Sequence, residues 1–371
     1  MQFKQLRSLA VAVGMVLAAP ALWAQIKIGQ TAGFTGAVAA SVKETADGAK
    51  LYLDAVNAGG GIGGRSIELI SLDDKFDPKL AVENAKKLID QGVLALFLTR
   101  GTPHNEAILP LLGEHKVPLI APSTGAMVLH QPVNPWVFNV RASYQREAER
   151  AIQHLATTGL TRIAIIQVDD SFGADAAAGA LKGFAALAQT PVLHEKFDRS
   201  KPNFDAIVPK VLQRNAQAVL FLASGSMVVN GVAALRKAGS SAQLVTLSNN
   251  ASSGFVKELG NYAHGIVVCQ VFPSERNLAL PMVKEAHGLA RAKGFDELTP
   301  AMLEGFAAAK VLVEGLRRSS RELTRTGLQK ALEGFKRVDI GGLEVTYSSS
   351  DHTGLDFADL AIVGTDGRFR R

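Results

Sequence analysis

Short apolar runs alternate along the chain with longer stretches in which apolar residues return every three or four positions. The first cycle predicts a strand over 26–29, a helix over 42–57, a strand over 66–72 and a helix over 78–90. Asp77-Pro78 opens that last helix, a capping residue followed by proline at the first helical position. Residues 93–99 are almost continuously apolar, as a strand buried on both faces of a parallel sheet requires. A helix over 103–115 and a strand over 117–121 keep the rhythm. The cycle then restarts, with helices over 144–158, 173–188, 205–214 and 228–238 among strands over 162–168, 192–197, 218–223 and 244–247. Such alternation implies right-handed βαβ units, and two sets of them imply two sheets of the same type, one to a lobe. Helices over 279–293, 300–319 and 324–334 precede strand-like pieces at 342–347 and 356–363, the latter ending at the turn Thr365-Asp366-Gly367. No low-complexity linker separates the halves, so the expected fold is α/β: two doubly wound lobes that share hinges.

The N-terminus follows another pattern. Lys4 and Arg7 precede an apolar run from Leu9 to Ala19, and small residues then place a cleavage site after Ala24. This reads as a secretory signal peptide, too short and wrongly flanked for a membrane span; a buried helix is the alternative. Cysteine use agrees with export. Cys269 is the single Cys, so no intramolecular disulfide can form and no Cys follows the signal region to carry a lipid. Within the apolar run 265–272 it reads as a small buried hydrophobe and not as a nucleophile. A soluble monomer in a Gram-negative periplasm is expected. The 371 residues, 47% hydrophobic and 20% charged, suffice for two cores. Without the signal segment the formal charge of +6 falls to about +4, and no basic stripe with interleaved aromatics suggests nucleic acid.

Catalytic signatures are absent from the sequence. Gly59 to Gly64 satisfies G-x-G-x-x-G in letters, but a helix precedes it and a strand follows, the reverse of a dinucleotide site. It reads as a helix stop and turn. The eight His residues are scattered, with no H-E-x-x-H and no paired Cys, so neither a metal nor a cofactor is expected. Ser224-Gly225-Ser226 lacks the glycine spacing of a nucleophile elbow, and there is no P-loop. Three readings compete: a transport binding protein, an exported sensor, and an α/β enzyme. Export without catalytic signatures favours the first.

Several segments in order carry a resemblance. They are Ile26-Lys-Ile-Gly-Gln with Thr35-Gly36, Asp54-Ala-Val-Asn-Ala-Gly-Gly60 with Gly64-Arg65, and Leu72-Asp-Asp-Lys-Phe-Asp-Pro78. Pro122-Ser-Thr-Gly-Ala126, Phe138-Asn-Val-Arg141, Asp169-Asp-Ser-Phe-Gly173 and Leu303-Glu-Gly-Phe-Ala-Ala-Ala-Lys310 continue it. In this order the chain resembles the periplasmic type I solute-binding proteins of branched-chain amino acid (Leu/Ile/Val) ABC transporters. The resemblance implies two Rossmann-like lobes joined by three crossover strands, the first holding 25–143 and 273–350 and the second 144–272 and 351–371. It also implies a small-molecule ligand in the cleft and a membrane permease as partner.

The same resemblance suggests a site. Thr102 falls where the family places a hydroxyl that bonds the ligand carboxylate. The chemistry of the segment agrees, because Gly101-Thr102-Pro103 ends a buried strand and opens a helix whose free N–H groups favour an anion. A plain N-cap at Thr102 is the structural alternative. Ser123, Thr124 and Gly125 match the next cleft loop, Phe172 an aromatic lid from the second lobe, and Ser41, Ser224 and Ser248 further cleft positions. Phe172 at a strand-to-helix turn reads as poorly placed for burial, with core packing as its alternative. The departures are informative. Family members that bind amino acids pair the ligand ammonium with a Glu where this chain has Ser248, beside Asn249, and Ser41 and Ser224 replace aromatics. Arg100 stands at the mouth of the strand leading to Thr102, where it either meets a ligand carboxylate or makes a surface salt bridge. A carboxylate ligand with no obligatory ammonium is the expectation that these departures raise.

Overall fold

The computed structural model describes residues 25–371, so the signal-peptide expectation lies outside the described residues. The first sheet forms from β1 (Ile26–Ala32), β2 (Ile67–Asp73), β3 (Ala95–Phe97), β4 (Leu119–Ile120) and β5 (Val137–Phe138). Between them run α1 (Ala39–Ala58), α2 (Pro78–Asp90) and α3 (Thr102–His115). All five strands are parallel, in the order β2-β1-β3-β4-β5. The order reverses between β1 and β3, and a crevice opens beyond the carboxyl ends of strands at such a reversal.

The second set repeats the plan. α4 (Tyr144–Thr157), β6 (Ile163–Val168), α5 (Ser171–Ala186), β7 (Leu193–Phe197) and α6 (Phe204–Gln213) come first. β8 (Ala218–Leu222), α7 (Ser226–Lys237), β9 (Gln243–Thr246), α8 (Ser253–Leu259) and β10 (Val267–Gln270) follow. Here the order is β10-β9-β8-β6-β7, with its reversal between β6 and β8. The chain then returns to the first lobe with α9 (Pro281–Ala292), α10 (Pro300–Arg318), α11 (Arg325–Glu333) and the small hairpin of β11 (Val338–Asp339) and β12 (Glu344–Val345). Last, β13 (Asp359–Val363) and β14 (Phe369–Arg370) extend the second sheet beside β10, both antiparallel. The two lobes thus share one parallel plan, and β13 and β14 add an antiparallel pair at one edge of the second sheet.

Separate cores back the two sheets. The second lobe has one large cluster, including Ile165, Phe184, Leu220 and Val245. The first lobe has one on each sheet face, around Phe97, Phe138 and Phe306 on one side and Leu88, Leu96 and Leu112 on the other. Apart from Ala126, which reaches from a first-lobe loop into the second core, the chain passes between cores three times: from Ala142 to Tyr144, from Cys269 to Val271, and from Leu355 to Leu360. In the first lobe α1 and α10 cross at backbone contact. A Cβ on Gly48 would lie 1.8 Å from the Met302 carbonyl oxygen, and one on Gly305 would lie 1.8 Å from that of Thr45. Only glycine on both helices permits so close a crossing.

Candidate functional site

The apolar run 93–99 predicts a strand to Thr99, but the ladder of β3 ends at Phe97 because Leu98 turns left-handed, with φ of 49°. Ala121, with φ of 51°, ends β4 in the same way. Left-handed backbone at non-glycine residues is uncommon and costs conformational energy, which the surrounding core must offset. The two turns bring Arg100 and Ser123 side by side as a lone parallel bridge at the sheet's edge. From there a chain of polar side chains runs across the crevice.

Arg100 Nη1 donates to Ser123 Oγ at 2.9 Å, and Ser123 Oγ donates to Glu304 Oε1 at 2.8 Å. That carboxylate lies 3.8 Å from Arg141 Nη1. Arg141 Nη2 is bonded to Glu147 Oε1 and donates to Ser248 Oγ at 2.7 Å. Ser248 returns its backbone N–H to Glu147 Oε2 at 2.8 Å and its hydroxyl to Oε1 at 3.0 Å. Burial works against the Arg141 charge, yet Glu147, Tyr144 and Glu304 together hold its guanidinium firmly protonated. Arg100 closes the circuit across the lobes, donating from Nη2 to the Asn249 carbonyl at 2.7 Å and to Ser41 Oγ at 3.4 Å. The crevice beside Ser41, Gly225 and Asn249 holds about 10 Å³, room for roughly one water.

The predicted residues meet this arrangement unevenly. Ser41, Arg100, Ser123, Ser224, Ser248 and Asn249 converge at the interlobe surface, all buried; Asn249 Nδ2 donates to Ser224 Oγ at 2.8 Å. Arg100 is 4% exposed and meets no carboxylate among the described residues, so the surface salt bridge is overturned. The left-handed turn at Leu98 aims it inward. Thr102 is not an N-cap: Gly101, with φ of 95°, caps α3, and Thr102 is its first residue. The Thr102 hydroxyl pairs instead with that of Thr124, 2.9 Å away. Gly125 turns from the cleft, its carbonyl accepting from Tyr144 N–H at 2.7 Å at the first passage between lobes. Phe172 is 3% exposed, packed in the second core edge-on to Tyr144, so its placement as poorly suited to burial is corrected. The cap at Asp170 starts α5 at Ser171 and not at Gly173, which turns the Phe172 ring inward.

Sequence reasoning missed Arg141, Glu147 and Glu304 as site residues. Glu147 carried a signal: it lies on the apolar stripe of α4 with Tyr144, Ala148, Ala151, Ile152 and Leu155. A carboxylate on a core-facing stripe implies a buried partner. Cys269 reads as expected, fully buried with its thiol pushed up by that burial.

The lobes touch around this circuit. Ser226 N–H donates to the Ala37 carbonyl at 3.2 Å, Ser171 Oγ to Glu106 at 2.6 Å, and Gly254 N–H to Glu44 at 2.8 Å. At the same edge the Arg199 guanidinium, bonded to Asp170, sits 4.9 Å above the Phe76 ring. His104 stacks on the same Phe76 ring, centroids 4.5 Å apart, with both of its ring nitrogens buried. Burial lowers its pKa to about 4. The unfolded chain therefore binds a proton between pH 6.5 and about 4 that the folded chain refuses, so stability falls as pH drops through that window. The share of His104 is at most about 3 kcal/mol. His104→Phe, which keeps the stack, is expected to flatten urea-unfolding stability against wild type between pH 6.5 and 4; parallel profiles would refute this. Asp74, raised to about 6 by burial, acts in the opposite sense and cancels in the comparison.

Comparison with known proteins agrees with this geometry. A family model described as periplasmic binding protein matches residues 25–367. Leu/Ile/Val-binding protein homolog 3 of Brucella melitensis is 25% identical over 94% of each chain. A substrate-binding periplasmic protein from Ralstonia solanacearum superposes with a TM-score of 0.86 at 30% identity, covering 93% of this chain and 99% of that one. A possible leucine/isoleucine/valine-binding protein from Rhodopirellula baltica gives 0.89 at 25% identity, over 95% and 98%. The fold is that of type I periplasmic binding proteins, with two parallel-sheet lobes, and such proteins bind without catalysing. This chain belongs to the periplasmic binding protein family.

Proposed function

We propose that this protein captures a small carboxylate-bearing solute, a branched-chain amino acid or a related organic or aromatic acid, between its lobes and presents it to an ABC permease from the periplasm. The observation that carries the reading is the convergence of strand ends from both sheets on one buried polar seam. Behind β1 and β3 stand Ser41, Arg100 and the Thr102–Thr124 hydroxyl pair at the start of α3; behind β8 and β9 stand Ser224, Ser248 and Asn249. Donors of this kind at a helix start suit a carboxylate. The names of the Brucella and Rhodopirellula relatives support a Leu/Ile/Val-like solute.

The mechanism is population shift about the three passages between lobes. Taking the cores as the guide, the first lobe comprises about 25–143 and 271–355, and the second the remainder. A ligand touching both walls stabilises the closed state by the contacts it makes only there. Micromolar affinity needs about 8 kcal/mol, within reach of a few charge-assisted hydrogen bonds and a buried apolar tail. A thermal-shift panel of amino acids, aromatic acids and dicarboxylates is expected to give at least one ligand that raises Tm, with a smaller radius of gyration by X-ray scattering. A panel without a hit, or a hit that leaves the scattering unchanged, would overturn the reading.

A further inference from the structure

We propose that Arg100 determines specificity: it takes the ligand carboxylate in place of the Asn249 carbonyl, and the cleft selects acids that carry no α-ammonium. This rests on the interlobe carboxylate reading above. The cleft holds two arginines and two glutamates, and they are not evenly paired. Both carboxylates lie against Arg141, one bonded to Nη2 and the other 3.8 Å from Nη1. Arg100 has only neutral acceptors, the hydroxyls of Ser123 and Ser41 and the backbone oxygen of Asn249. A guanidinium 4% exposed with neutral partners keeps much of its desolvation cost uncompensated. A carboxylate accepting its planar fork would replace those bonds with charge-assisted ones.

The ammonium is excluded by the same arrangement. Glu147 has both oxygens engaged, Oε1 by Arg141 and Ser248 Oγ and Oε2 by the Ser248 N–H, and the residue is wholly buried. Glu304 gives Oε1 to Ser123 and shares Arg141 with Glu147. A ligand ammonium would meet at Glu304 a carboxylate already ion-paired with Arg141, beside two guanidinium cations. Arg141 Nη1 is buried without a hydrogen bond, its nearest charge the Glu304 carboxylate 3.8 Å away, so it adds a spare donor to the seam and favours acceptors on the ligand. The bond from Arg100 to the Asn249 carbonyl spans the lobes, so the ligand carboxylate takes over a contact between them.

The test is calorimetric titration of the mature chain with matched pairs: leucine and 4-methylpentanoate, valine and 3-methylbutanoate, phenylalanine and 3-phenylpropanoate, glutamate and glutarate. At least one acid without the amino group is expected to bind about tenfold or more tighter than its amino partner. Arg100→Met is expected to weaken that acid about 100-fold, and Arg100→Lys about tenfold, since lysine keeps the charge but loses the fork. Should Arg100→Met fail to fold, the lysine variant carries the test alone. Tighter binding by the amino acid in every pair that binds overturns the exclusion of ammonium while leaving interlobe capture intact. Unchanged affinity in the arginine variants overturns the role of Arg100. No binding by any member of any pair overturns the carboxylate reading itself.

Discussion

Gly225→Ala is expected to leave both lobes folded and to weaken capture of any ligand at least about 100-fold. Gly225 caps α7 at φ of 54° and ψ of −129°, backbone that costs a side-chain-bearing residue about 1–3 kcal/mol. The larger effect lies across the cleft. A Cβ there would stand 1.7 Å from the carbonyl oxygen of Ala37 in the first lobe, the group that accepts the Ser226 N–H. Backbone against backbone cannot yield as a flexible side chain can, so the lobes must stay apart by more than the contact allows. A ligand that gains affinity only in the closed state then loses that gain. Titration with the best ligand from the panel, beside unliganded melting of the variant, separates the two effects. Wild-type affinity in Gly225→Ala would show that closure does not proceed through this contact.

Glu147→Ala is expected to cost about 3–5 kcal/mol of stability, the range for removing one partner of a buried ion pair. The loss is not of a contact alone. Arg141 would keep its charge with only the more distant Glu304 beside it, and the Ser248 N–H would lose its acceptor. Urea unfolding of the unliganded protein measures the cost. Replacing Arg141 and Glu147 together by Met removes both charges and is expected to recover a substantial part of it. A single substitution that costs under about 1 kcal/mol would mean that the pair is solvated in solution.

The alternation of strands and helices was legible because each element repeats its own period and stops at its own signal. Pro78 to Asp90 emerges at the predicted bounds, since Asp77 accepts from Lys79 N–H and fixes the start. The short strands were less so. β5 and β14 have two residues each, and their pairing comes from neighbours far along the chain and not from any local pattern. The site divides along the same line. Arg100, Ser123 and Asn249 lie just past strand ends, where order along the sequence predicts proximity to the cleft. The inward turn of Arg100 was not legible, because it depends on a left-handed backbone at Leu98, a residue that carries no turn signal. Arg141 and Glu304 were visible as letters within matched segments, but their partnership joins positions 163 residues apart.

The crossing of α1 with α10 also dictates an order of assembly. The strands β6 to β10 and the helices between them are contiguous, so that half can gather most of its core from one stretch, with β13 and β14 added last. The other half cannot seat its longest helix until Gly305 arrives to meet Gly48, more than 250 residues later. A nascent chain thus emerges with its N-terminal portion waiting and its middle portion already able to condense, the reverse of the usual sequence in which leading domains mature first.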